Sequence, residues 1–282
     1  MPELPEVETI ARSLRDGGRG SPSLLGREVQ AIQLLWERSL QAPPVSVFLP
    51  RLIGQQVTNI HRRAKFIVLT LNSDFLLIHL RMSGDLRVEP QQDAAGQFLP
   101  LGIHDRAVFF LDGGLRFVFE DARKFGRIWL VPDLNEVLAG LGPEPLDPEL
   151  TPQAFYKMLI SRMRQLKPLL MDQAFLAGLG NIYTDEALHI AGLHPLTVSN
   201  QVSELQAEKL LLGIRAVLLA AIEQNGSSID WVYRGGDFQN HFHVYQRAGQ
   251  PCSRCGNTIK RIVVGQRGTH FCPICQPPVL IA

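Results

Sequence analysis

Four cysteines constrain this chain more than any other feature. They form one pattern, Cys252-x2-Cys255, sixteen intervening residues, then Cys272-x2-Cys275, with no cysteine left over. Zn²⁺ takes four tetrahedral ligands at about 2.3 Å, and two Cys-x2-Cys knuckles at the ends of a hairpin supply them. Two disulfides would also use four cysteines, but they suit an oxidising compartment. One structural zinc is expected, with its shell closed by protein ligands and no position open for catalysis. Between the knuckles, Ile259–Val264 and Thr269–Phe271 read as strands around a turn at 265–268, which presents Arg267 near the tip. A metal-fixed hairpin with a basic tip is suited to phosphate.

The charge distribution agrees. Net charge is only +1, yet no Asp or Glu follows Asp237. Arg247, Arg254, Lys260, Arg261 and Arg267 make that tail basic, leaving −4 on the first 237 residues. A basic terminal module on a weakly acidic body points to a polyanionic partner. No stretch reaches the roughly 18 uninterrupted apolar residues of a membrane span. The first residues hold three acids and no apolar run, unlike a signal peptide. A soluble, cytoplasmic monomer is expected.

Elsewhere the periodicity changes along the chain. Leu4, Val7, Ile10, Ala11 and Leu14 share one face of a helix expected over residues 2–15, with Glu3, Glu6 and Glu8 at the positive end of its dipole. Phe66–Leu71 and Phe75–Leu80 flank Asn72-Ser73-Asp74. Ala107–Leu111 and Leu115–Phe119 flank Asp112-Gly113-Gly114. Both read as hairpins, and short strands with regular turns argue for a sandwich or barrel. Four prolines between 132 and 150 suggest a linker. Beyond them the pattern is helical, with Leu205, Leu210, Ile214, Val217, Leu218 and Ile222 on one long amphipathic helix. The expected organisation is therefore α+β and multi-domain. It comprises an N-terminal helix with a β-sandwich (1–131), a linker (132–150), a helical domain (151–250) and a zinc module (251–282).

The N-terminal run Met1-Pro-Glu-Leu-Pro-Glu-Val-Glu-Thr9 resembles that of formamidopyrimidine-DNA glycosylases. The resemblance extends through His61–Phe66, His79–Gly84, Asp121–Gly126, Leu141–Leu146, Gly178–Tyr183 and Gln266–Cys272, in the family's order. Leu4 favours this branch over the endonuclease VIII-like relatives, which act on oxidised pyrimidines. The resemblance implies a bifunctional repair enzyme acting on double-stranded DNA. It would excise oxidised purines and cut at the abasic site by β,δ-elimination. A binding protein that has lost catalysis is the alternative from a different class, and intact Pro2, Glu3, Lys65 and Arg267 weigh against it.

In the family, removal of the initiator Met exposes the proline nitrogen, which attacks the sugar. A secondary amine expels the base and leaves an iminium ion, an electron sink for elimination. A chain-terminal amine titrates near ~8, below a lysine near ~10.4, so a useful fraction is unprotonated at neutral pH. The resemblance also implies that Glu3 serves as acid or base, that Lys65 contacts phosphate and assists β-elimination, and that Arg267 assists δ-elimination. Glu6 is a weaker candidate for lesion contact. Met82, Arg123 and Phe125 match the residues that fill the gap left by the flipped base, where apolar wedges unstack a duplex. His104, Arg123 and Arg162 line up with DNA-binding positions of the family. Asn181 is expected to cap a helix whose N-terminal amides meet phosphate, beside a basic run of Arg162, Arg164 and Lys167. The helix-two-turns-helix element falls in the 151–250 domain, and residues 233–240 correspond to the family's mobile lesion-capping loop. Ala122, where many relatives carry proline, is a small departure.

Overall fold

The computed structural model describes residues 1–228 and 235–278. Helix α1 is Leu4–Asp16, followed by strand β1 (Val29–Leu34), β2 (Leu40–Ala42), helix α2 (Val45–Leu52), β3 (Asn59–Arg63), β4 (Phe66–Thr70) and β5 (Phe75–His79). Then come β6 (Gly84–Pro90), β7 (Asp105–Leu111), β8 (Leu115–Asp121) and β9 (Arg127–Val131). Helices α3 (Asn135–Leu138), α4 (Pro152–Ile160), α5 (Leu166–Leu170), α6 (Asn181–Ala191) and α7 (Glu204–Glu223) precede the terminal strands β10 (Lys260–Val264) and β11 (Arg267–Phe271). The chain forms two compact units, Met1–Ala139 with Asn225–Gly236, and Gly140–Gln224 with Asp237–Ala282.

The first unit is a β-sandwich. One sheet has the order β1-β7-β8-β6 and is antiparallel throughout. The other has the order β2-β9-β5-β4-β3 and is antiparallel except for the parallel β2–β9 pair. Both expected hairpins form, pairing Phe66 with His79 and Phe109 with Phe117. The apolar face of α1 (Val7, Ile10, Ala11, Leu14) enters the core with Ile60, Ile67, Leu69, Phe109, Phe117 and Phe119. A buried side chain of this size contributes about 1.5–3 kcal/mol. Strand β4 is apolar from Phe66 to Leu69 because both of its faces are covered. Ile67 and Leu69 face the main core, while Val68 packs with Leu77 and Val131 under Leu134, Val137 and Leu138. The expected linker thus contributes a short helix, α3, to the second face of that sheet.

The second unit packs α6 against α7. Gly213 of α7 lies where a Cβ would stand 3.1 Å from Cγ2 of Ile190, so only a small residue lets the helices approach this closely. Ser203 and Gln206 cap α7 reciprocally, at 3.3 and 2.9 Å. Leu210, Ile214, Val217, Leu218 and Ile222 are buried as expected, but Leu205 in the first turn is 60% exposed. The apolar stripe begins one turn later than periodicity suggested. No described helix is long and apolar enough to cross a membrane.

Candidate functional site

The N-terminal helix starts later than its apolar face implied. Pro2 lies outside it and is buried, and Glu3 is its N-cap in extended backbone (φ −103°, ψ −170°). Glu3 and Glu6 form a capping box. The Glu3 side chain accepts from the Glu6 N–H, and Glu6 Oε2 accepts from the Glu3 N–H at 2.8 Å. Oε1 of Glu6 accepts from Ser227, at 2.7 Å from its N–H and 3.2 Å from its hydroxyl. Gly226 passes so close that a Cβ there would stand 2.7 Å from Glu6 Oε1. Both Glu6 oxygens therefore bind main-chain N–H groups, strong charge-assisted bonds that hold the segment around Ser227 to the start of α1.

Lys65 sits in the two-residue turn between β3 and β4, buried, after Ala64 at φ 53°. Arg62 ties this turn to α1. Its Nε donates to Glu8 at 3.0 Å and its Nη1 to the Ala64 carbonyl at 3.2 Å. His79 lies beside Lys65, and its Nδ1 accepts from the Arg81 N–H at 3.0 Å. Burial first, then the cations Arg81 and Lys65, pull His79 down to about 3, so its ring is neutral at physiological pH.

Asp121 gathers the remaining candidates of the first unit. One carboxylate oxygen accepts from the Ser83 hydroxyl and, at 3.2 Å, from the Arg123 N–H; the other accepts from the Gly126 N–H at 2.7 Å. Its own N–H donates to the His104 carbonyl at 2.9 Å, and its carbonyl accepts from Arg106 at 2.7 Å. One buried residue thus fixes the loops carrying Met82, His104, Arg123 and Phe125. A Cβ on Gly126 would fall 2.2 Å from the Phe119 ring, so the turn closes only with glycine. His104, Arg123 and Phe125 are exposed and Met82 half-buried, with the Arg123 guanidinium 5.2 Å from the centre of the Phe125 ring.

In the second unit, Arg162 is exposed on a loop that Ser199 pins at both ends. The Ser199 hydroxyl donates to the Arg162 carbonyl at 2.8 Å and accepts from the Arg164 N–H at 3.4 Å. The expected basic run is not one surface. Arg164 pairs with Asp172 at 2.7 Å, and Lys167 is buried, with Nζ 2.6 Å from Asp185 and 3.0 Å from the Gly268 carbonyl. Asp185 also accepts from the His270 N–H at 2.8 Å. This pair anchors β11, the strand that Arg267 opens, to α5 and α6. Asn181 is the first residue of α6 rather than its cap; Gly180 holds that place. The Asn181 amide oxygen is buried with no hydrogen-bond partner among the described residues.

The four cysteine sulfurs lie within 4.8 Å of one another. Cys252 and Cys275 are 3.9 Å apart, Cys255 and Cys272 3.4 Å. A zinc tetrahedron with bonds of about 2.3 Å has edges of about 3.8 Å, so the set fits Zn²⁺. Burial, then hydrogen bonding among the sulfurs, pushes the Cys275 thiol up to about 12, and a central dication is what makes thiolates favourable there. The hairpin turn is shorter than expected: Gly265 (φ 54°) and Gln266 (φ 62°) alone join Val264 to Arg267, and Arg267 is exposed.

Sequence reasoning missed Asp121, His79, Ser199 and the Lys167–Asp185 pair. Asp121 opens the Asp121–Gly126 motif but has no fixed-spacing partner. A signal for the loops does exist in the backbone. Ala64, Arg81, Lys124 and Gln266, non-glycine residues at positive φ, each adjoin a candidate: Lys65, Met82, Arg123 with Phe125, and Arg267. Such strain is held only where surroundings over-determine it. Residues 233–234 of the expected capping loop and the tail 279–282 lie outside the described residues. Ser228 and Gly236 bracket the described ends of that segment, at 2.8 and 2.9 Å.

Comparisons with known proteins cover nearly the whole chain. Residues 1–128 match the formamidopyrimidine-DNA glycosylase N-terminal domain, 141–232 the H2TH domain of the same glycosylase, and 249–278 a zinc finger found in FPG and IleRS. A formamidopyrimidine-DNA glycosylase of Chloroflexus aggregans is 44% identical over 284 residues, with 98% of each chain covered. One of Protochlamydia amoebophila is 39% identical, covering 98% of this chain and 99% of its own. Among solved structures, MutM in complex with carbocyclic 8-oxo-G containing DNA superposes with a TM-score of 0.88 at 34% identity. That match covers 98% of this chain and 100% of the other. Lactococcus lactis Fpg with DNA containing an abasic site gives the same TM-score and coverage at 33% identity.

Proposed function

The chain belongs to the formamidopyrimidine-DNA glycosylase family and is a DNA glycosylase; from that premise we propose that it removes oxidised purines from double-stranded DNA and then cleaves the abasic strand through Pro2. The observation that carries this reading is the N-terminus. Pro2 is buried one residue ahead of a helix cap whose Glu3 and Glu6 are locked by reciprocal hydrogen bonds. A nucleophile needs such restraint, because a misplacement of about 1 Å can cost roughly 100-fold in rate.

With Met1 removed, the Pro2 nitrogen attacks C1′ of the lesion nucleotide and the damaged base departs with the C1′–N bond pair. Glu3, adjoining Pro2, moves protons at the opening sugar. Breaking the C1′–O4′ bond, with O4′ taking a proton, leaves the C1′=N iminium. Loss of a C2′ proton sends its electron pair into that iminium, and the enamine so formed returns a pair that expels the 3′ phosphate with the C3′–O bond pair. A second elimination expels the 5′ phosphate. Lys65 supplies a buried cation for the phosphate beside the sugar, and Arg267 does so from the zinc hairpin. Met82 and Phe125 fill the space left by the flipped base, while Arg123 hydrogen-bonds the orphaned partner. His104, Arg162 and Asn181 meet phosphates, and the unpartnered Asn181 oxygen supports a group waiting for a donor or a bridging water. Zinc, held by Cys252, Cys255, Cys272 and Cys275, fixes the hairpin and takes no chemical step. We place this activity in the cytoplasm, on a monomer.

Borohydride trapping on a duplex with 8-oxoguanine opposite cytosine tests the reading. The expected result is a covalent adduct mapping to Pro2 by N-terminal peptide mass. An adduct with abasic but not 8-oxoguanine DNA would keep the lyase and move the substrate, first to thymine glycol. No adduct with either, but retained binding, would leave a damage-binding protein.

A further inference from the structure

We propose that His189 is an outer ligand of the zinc centre, donating its Nε2–H to the Cys252 sulfur and so slowing loss of the metal. His189 lies in the last turn of α6, buried, with Nε2 3.4 Å from Cys252 Sγ. Its other ring nitrogen, Nδ1, is buried with no hydrogen-bond partner among the described residues. Those two facts fix the tautomer. A proton on Nδ1 would be a buried donor without an acceptor, and would turn the Nε2 lone pair toward sulfur. A proton on Nε2 leaves only an acceptor unpaired, the lesser cost, and points an N–H at the sulfur.

The ring has little freedom to move. It stacks on His243 at 5.6 Å, and Nδ1 of His243 is 3.2 Å from the Ser253 hydroxyl, beside Cys252. Arg254 reaches back to the His189 and Ile190 carbonyls at 3.4 Å. The first zinc knuckle is therefore fastened to the C-terminal end of α6. The four sulfurs are not treated alike. Cys252 Sγ receives the Arg254 main-chain N–H at 3.4 Å and faces His189 as well, whereas Cys272 Sγ receives the Cys275 N–H at 3.4 Å.

Four thiolates around Zn²⁺ carry net charge −2, and N–H donors to sulfur draw off that charge. Outer groups of this kind alter metal affinity by 10–100-fold. A second donor on Cys252 makes its sulfur a poorer nucleophile toward oxidants and a poorer base toward protons, the two attacks that open such a centre. The assignment does not depend on the chemistry proposed for Pro2.

The test uses the full-length zinc protein. Transfer of Zn²⁺ to a chromogenic chelator, started by dilute peroxide, should be about 10-fold faster in His189→Phe. His189→Gln, which retains an N–H donor, should recover most of the difference. Long-range ¹⁵N–¹H spectra of the unaltered protein should place the His189 proton on Nε2, a reading that needs no variant to fold. Release at the native rate in His189→Phe, or a proton on Nδ1, overturns the proposal.

Discussion

The β-sandwich and the zinc hairpin both hold a short loop with a candidate residue, by opposite means. The sandwich loops rest on a large apolar cluster running from Val7 to Leu130, and Asp121 needs only a few hydrogen bonds to set Met82, Arg123 and Phe125. In the zinc module the apolar cluster among the described residues is Val244, Cys252, Ile259 and Cys272, with Cys275 at its edge, and the hairpin strands add only buried Val264 and Phe271. So small a cluster cannot offset the entropy of ordering the hairpin. A metal site and the buried Lys167–Asp185 pair take its place. Where apolar area is plentiful, polar groups only refine a loop; where it is scarce, ionic and metal bonds carry the fold.

Metal loss should separate the two regions most. Zinc sites of this type supply roughly 10 kcal/mol of folding free energy. In Cys252→Ser, amide exchange protection across β10 and β11 should collapse while β7 and β8 stay protected, and strand cleavage should fail. Equal loss in both regions would mean that the hairpin depends on the metal no more than the sandwich does. The buried pair comes next. Lys167→Met strands the Asp185 charge and should cost about 3–5 kcal/mol in urea unfolding of the second unit, with part recovered by adding Asp185→Leu. A cost under about 1 kcal/mol would mean the pair is not what holds β11.

In the sandwich, the largest ionic effect should come from His79. Unfolded, it takes up a proton near 6.5; folded, only near 3. Between those values the unfolded state binds more protons, so stability is lost as pH falls below 6.5, by up to about 1.4 kcal/mol per pH unit. His79→Phe should flatten that slope relative to the native protein in denaturation at pH 4 to 7, and an unchanged slope would deny the ring its buried neutral state. Asp121→Ala should have the smallest effect on folding, about 1–3 kcal/mol. It should slow excision more than it destabilises, because Met82, Arg123 and Phe125 lose a shared anchor. If activity fell only in step with stability, the loops would be set by the apolar core alone.

The zinc ligands, the two hairpins and the buried face of α1 can be read from the chain alone, because each rests on a local rule: metal spacing, turn chemistry or helical period. Its motifs also singled out Pro2, Glu3 and Lys65 as candidates. What depends on distant partners emerges only in the folded chain. Lys167 read as one of three basic surface residues, yet Asp185 and Gly268 draw it inside. Asn181 read as a cap, yet the helix begins on it with Gly180 before it. Leu205 fits the apolar stripe by period, yet no neighbour covers it and it stays exposed. Asp121, Ser199 and His189 act across 38, 35 and 63 residues of chain. Hydrogen bonds of that reach leave no period and no fixed spacing in the sequence, so only the folded chain brings their partners together.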